Sequence, residues 1–212
     1  MDINKFINLR PYLFHLTDPS NLDSILSDRI LKSSKTLVDL IALNDKDNFL
    51  RTRRKGHKLI QNENLSFWLR DQDPLYEKIV MKNIDKDMSF GDFVLLLNSK
   101  VFFWATEKDL KTHYSRYERQ NEKPIILKIN TKELFEINKT EPKFCNLNSG
   151  APRCSSYYKE GAPLRGTKTF LYAYEYDKLP SSVREVVFDS KCILPSKFYL
   201  ATSPNALYKI VD

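Results

Sequence analysis

A chain of 212 residues with 34 basic and 27 acidic side chains carries a net charge of +7, which points to an anionic partner such as nucleic acid. An apolar fraction of 42 %, with 12 % aromatic, supports a buried core and excludes general disorder; the length suits one domain over residues 1–212. Only five glycines, with no G-x-G-x-x-G or G-x-x-x-x-G-K, exclude the glycine-rich nucleotide loops, and three cysteines without a C-x-x-C pair exclude a disulfide framework or zinc ribbon. The three histidines are scattered, so no metal is expected. The first residues lack the apolar core of a signal peptide and no apolar run reaches membrane length, so the expectation is a cytoplasmic protein with no membrane partner.

Along the chain, Tyr12-Leu13-Phe14-His15-Leu16-Thr17 is an apolar run that reads as a strand. Asp18-Pro19 then starts a helix, since aspartate accepts an orphan N–H and proline fits the first helical position. Leu22, Ile25 and Leu26 share one face of that helix. A polar turn at 32–35 leads to a second helical pattern through Leu37, Leu40 and Ile41. Residues 44–64 are polar and aperiodic and read as a long loop, with or without a short helix. Arg51, Arg53, Arg54, Lys55, His57 and Lys58 crowd into this loop.

An aromatic run, Phe67-Trp68-Leu69, ends in a turn from which Pro74 opens a helix through Leu75, Ile79 and Val80. Ser89 begins another, with Phe90, Phe93, Val94 and Leu97 on its apolar side. Residues 101–105 are β-branched and aromatic and predict a strand. Thr106 caps the next helix, where Leu110, His113, Tyr114 and Tyr117 align, so His113 reads as a packing residue. Residues 125–129 predict a strand and 131–134 a short helix. The irregular stretch 138–167 reads as a second candidate active-site loop. Segments 169–174, 183–188, 198–201 and 207–210 read as strands. The sum is an α+β pattern of about seven short strands, with helices mainly in the N-terminal half.

Strand alternation puts Glu185 on a face with Val183 and Val187, and a carboxylate among apolar side chains is costly unless paired or used. His15 in the first strand, Phe102-Phe103-Trp104 in a middle strand and Glu185 in a late one resemble the three core motifs of ADP-ribosyltransferases. The branch is the one with a histidine, an aromatic and a glutamate on those strands, and within it the DarT-type toxins that modify DNA. Two departures stand out: Phe102, Phe103 or Trp104 occupies the place often held by tyrosine, and Leu16 that of the usual glycine. Over nearly its whole length the chain also resembles a bacterial family of unknown function. That likeness rests on Leu69-Arg70-Asp71-Gln72, on residues 97–104, on Asn148-Ser149-Gly150 and on residues 165–171.

The transferase resemblance implies a split β-sandwich that uses NAD as ADP-ribose donor. His15, the backbone near Leu16 and Thr17 would position the cofactor, and Phe103 or Trp104 would stack on nicotinamide. Glu185 would be catalytic, with His15 beside it. Arg70, Arg54, Arg53 or Arg165 would hold the pyrophosphate. A nucleic-acid acceptor would meet Arg51, Arg53, Lys55 and Lys58, while Trp68, Tyr157 or Tyr158 stacked on a base. The resemblance further implies a toxin or phage-defence effector, with a neutralising antitoxin as partner. Two alternatives stay open: an NAD glycohydrolase or non-transferring NAD-binding module on the same fold, and a basic nucleic-acid-binding protein without NAD chemistry.

Overall fold

Short strands of alternating burial set the architecture. The computed structural model describes residues 1–151 and 164–212. Asp2 accepts hydrogen bonds from the N–H groups of Asn4 and Lys5 and starts α1 (Ile3–Leu9), which leads into β1 (Tyr12–Thr17). Asp18 caps a single 3-10 turn, Pro19–Asn21, before α2 (Leu22–Asp28), β2 (Ile30–Lys32) and α3 (Ser34–Ile41). Then come α4 (Lys46–Arg51), the hairpin of β3 (Lys58–Gln61) and β4 (Ser66–Leu69), and the one-turn α5 (Glu77–Val80). A reciprocal Ser89–Asp92 capping box opens α6 (Phe90–Asn98), followed by β5 (Lys100–Trp104), α7 (Glu107–Arg119), β6 (Ile125–Asn130) and α8 (Thr131–Ile137). The later chain is strand-rich: β7 (Lys143–Cys145), β8 (Leu171–Tyr172), β9 (Glu185–Asp189), β10 (Lys191–Ile193), β11 (Phe198–Ala201) and β12 (Lys209–Val211).

Among the described residues, eight strands form one antiparallel sheet in the order β12-β11-β6-β1-β5-β9-β7-β8, with β10-β2 and β3-β4 as separate pairs. The sheet has a seam. β1 and β6 are in register from Tyr12↔Asn130 to Thr17↔Ile125, and β5 and β9 from Lys100↔Asp189 to Trp104↔Glu185, yet β1 and β5 share only Phe14↔Trp104. One face packs Leu13, Phe103, Leu127, Val186 and Phe188 against Phe6 of α1 and Leu134 of α8. The other face carries two clusters. Phe14 and Ile126 pack on Leu110 and Tyr114 of α7, and Val187 and Cys145 pack on Phe93, Val94 and Leu97 of α6. α3 and the β3–β4 hairpin close over a further cluster containing Val38, Ile60 and Phe67.

The α+β class stands, and six of the eight described helices begin before residue 100. The strand count is higher than about seven. β2, β7 and β10 have three residues each, too few to display a period, and β2 finds its partner β10 some 160 residues away. The region 44–64 holds α4 and β3 rather than one open loop. In 169–174 only Leu171 and Tyr172 pair, because a 3-10 turn occupies Thr167–Thr169. Pairing of β9 starts at Glu185, so Val183 turns into the cluster around Phe6 while Val187 joins that under α6. No described helix is long and apolar enough to cross a membrane.

A candidate active-site cleft at the sheet seam

Where β1 and β5 part, the sheet leaves a notch, and a cleft of about 450 Å³ opens above it, within the roughly 300–1,000 Å³ usual for small-molecule sites. His15, Trp104 and Glu185 all line it. They come from three neighbouring strands, with Phe14↔Trp104 and Trp104↔Glu185 as successive register partners. Two strand spacings of about 4.8 Å therefore separate the Phe14 and Glu185 backbones, roughly 10 Å in all, with His15 one residue beyond Phe14 on β1. A smaller chamber adjoins the cleft through shared walls at His15, Leu16, Lys32, Ser34, Arg70 and Tyr117.

Glu185 is 3 % exposed and has Cys145 as its register partner on β7. The Ser149 backbone N–H donates to both carboxylate oxygens at 3.2 Å. Burial raises the Glu185 pKa to about 7, against the opposing pull of Ser149, Arg184 and Arg165. The Arg184 guanidinium instead bonds Asp109 through Nε and Nη2. Cys145 is pushed up to about 12 by burial and then by Glu185, so it stays a thiol.

His15 Nδ1 lies 2.8 Å from the Phe102 carbonyl. A carbonyl only accepts, so Nδ1 carries the hydrogen and Nε2 is left as an acceptor. Burial lowers the His15 pKa, partly offset by that hydrogen bond, which keeps the ring neutral near pH 7. Trp104 presents its ring to the cleft, with the His113 ring centred 4.9 Å away. His113 is driven down to about 3 by burial, then by Arg70 and Arg116. It is therefore both a packing residue of α7 and part of the cleft wall. Phe103 also borders the cleft but is more enclosed than Trp104: it is 1 % exposed and packs edge-on against Phe188, 5.8 Å between centroids, with the His15 ring 5.7 Å away on its cleft side. Alternation along β5 makes Phe103 the buried member of the pair and Trp104 the more open one, although both border the cleft. Thr17 is buried in the wall of the smaller chamber.

One wall of the cleft is cationic. Asp71 is buried beneath Arg116, whose Nη2 is 2.7 Å from Oδ1, and Arg70, whose Nε is 3.2 Å from Oδ2. Burial pushes the Asp71 pKa up, but the Asp73 N–H and the guanidiniums of Arg70 and Arg116 outweigh it and hold it low. Arg70 also reaches Glu122 and lies 3.2 Å above the Tyr117 ring. Arg54 is buried and lines the same wall. Arg165 stands outside the lining, its Nη2 3.5 Å from the Asn148 carbonyl that precedes Ser149.

The basic loop does not form one open cationic face. Arg51 bonds Asp47 and Asp92, and Arg53 lies 3.7 Å from Asp73 and over the Tyr76 ring. Lys55 and Lys58 are exposed. Trp68, on β4, is 37 % exposed and lines the smaller chamber, whereas Tyr157 and Tyr158 fall outside the described residues.

Asp71, Gln72, Asn98, Arg116 and Ser149 all line the cleft without having been singled out as site residues. A signal for four of them was present. The stretches 69–72, 97–104 and 148–150 are those that carry the whole-chain resemblance, and they meet here. Arg116 had no such signal, because helical spacing shows only the apolar face of α7.

Fold and cleft define an α+β protein with a charged pocket at the seam of an antiparallel sheet. The chain belongs to DUF7002, a family of unknown function, which matches residues 11–198. No curated protein and no solved structure matches it.

Proposed function

We propose that this protein is an NAD-dependent ADP-ribosyltransferase with a nucleic-acid acceptor, on a split sheet of the ADP-ribosyltransferase type. The observation that carries the reading is the convergence of His15, Trp104 and Glu185, from three adjacent strands, on one cleft at a sheet seam. In the proposed step the bond between the ribose anomeric carbon and nicotinamide breaks, and nicotinamide leaves with the bonding pair. The oxocarbenium-like charge that develops faces Glu185, and electrostatic stabilisation by one well-placed group is worth roughly 3–4 kcal/mol. The acceptor nucleophile then bonds to that carbon, and its proton passes to solvent water. Neutral His15 offers Nε2 as a hydrogen-bond acceptor for a ribose hydroxyl or the nicotinamide amide. Trp104, the more open of the two aromatics that border the cleft, supplies the stacking surface.

Support for the acceptor is the +7 charge, exposed Lys55 and Lys58, and Trp68 at the smaller chamber. The ion pairing of Arg51 and Arg53 favours a second reading, an NAD glycohydrolase with water as acceptor. Incubation with NAD and separate DNA, RNA and protein pools, followed by mass spectrometry, decides among them. An added ADP-ribose on nucleic acid is expected; free ADP-ribose alone selects hydrolysis, and intact NAD in every pool removes both.

A further inference from the structure

In the cationic wall stands a buried guanidinium that makes no direct ion pair with a carboxylate among the described residues. Arg54 is 7 % exposed, and its bonds all go to neutral acceptors. Nε donates to the Arg70 carbonyl at 3.0 Å, Nη1 to Asn98 Oδ1 at 2.8 Å, and Nη2 to Ser34 Oγ at 3.4 Å. Gln72 completes the mount, accepting from the Arg54 N–H through Oε1 and sharing Asn98 Oδ1 through Nε2. Asp71 attracts the guanidinium only through space, being engaged directly by Arg70 and Arg116. A guanidinium has five N–H bonds, so some remain after these three interactions. Burying a cation without a directly paired carboxylate is costly, and the polar mount holds its orientation without supplying that pair.

Ser34 is the first residue of α3, and it lies in the wall shared by the two chambers. The positive end of that eight-residue helix, where Ser33 Oγ caps the Thr36 N–H, therefore lies beside the guanidinium. The geometry points to a phosphate-binding site at the junction of the chambers, formed by Arg54 and Ser34 with the first turn of α3. Its ligand is the phosphate or diphosphate of a small nucleotide, because a nearly buried guanidinium inside a cleft is beyond the reach of a duplex backbone. Arg70 is not part of it, being already balanced by Asp71 and Glu122. The inference deepens the dinucleotide reading, which would supply the diphosphate, but its test needs no turnover.

Inorganic pyrophosphate is titrated at constant ionic strength while the melting temperature is followed. The wild type is expected to show a saturable rise. Arg54→Gln should weaken the apparent affinity about 10- to 100-fold, as loss of charge-assisted hydrogen bonds does. Ser34→Asp is the independent arm if Arg54→Gln does not fold. It sets a carboxylate on a helix N-terminus next to the guanidinium, and should raise the melting temperature without pyrophosphate and remove the response to it. A wild type that does not respond, or a response unchanged by the folded variants, overturns the site. So does an Arg54-dependent shift given by a single-stranded oligonucleotide and not by pyrophosphate. Saturable pyrophosphate binding without nicotinamide release keeps the site and removes the transferase; nicotinamide release without a pyrophosphate response does the reverse.

Discussion

A carboxylate seated beside Val187 and Cys145 owes its hydrogen bonds to the backbone of Ser149. Burial lifts its pKa from 4.5 to about 7, so the folded chain keeps that proton over a range in which the unfolded chain has lost it. Stability therefore falls as pH rises across this window and is constant in this respect above it, an effect of at most ~3 kcal/mol. Glu185→Gln should melt at a higher temperature than wild type near pH 8, with the two converging near pH 4. Equal offsets at both pH values would mean that the carboxylate is not desolvated. His113 works in the opposite sense. Its pKa is depressed to about 3, so stability is lost as pH falls below the ordinary histidine value of 6.5. His113→Phe should flatten that acid limb in a thermal-melt series, and an unchanged limb would assign it to other groups.

At the scale of elements, the seam between β1 and β5 positions the site. Phe14 is buried at the one register pair that joins them. Phe14→Ala should lower the unfolding free energy by about 3–5 kcal/mol in denaturant titration. A cost below ~1 kcal/mol would mean that the two halves of the sheet do not depend on this pair for cohesion. The strands that line the cleft were legible in the sequence. The β-branched and aromatic content of 101–105, the capping signal at Asp18-Pro19 and the buried carboxylate in 183–188 each rest on local rules. What escaped was non-local. β2 needs β10 to exist as a strand, and the facing of Phe103 and Trp104 depends on which side of β5 meets the core. Arg54 and Arg70 read alike as arginines near a cleft, and only their partners distinguish a cation balanced by carboxylates from one held by neutral groups.

For the whole molecule, the charge of +7 is unevenly available. Because Arg51 is fixed by Asp47 and Asp92, its replacement should disturb stability more than nucleic-acid affinity. Lys55→Ala with Lys58→Ala should instead reduce the slope of log affinity against log salt for single-stranded DNA by about 1.4, at roughly 0.7 for each phosphate no longer neutralised. An unaltered slope removes this loop as an acceptor surface.

The central claim, that Glu185 faces a ribose as its nicotinamide departs, is tested most directly by nicotinamide release from NAD. Wild type and Glu185→Gln are compared from about pH 5 to 9, with single-stranded DNA present. The account predicts release by the wild type that rises through about pH 7 as the carboxylate ionises, and a loss of about 100-fold or more in the variant. Equal release by both proteins, or none by the wild type at any pH, would contradict it.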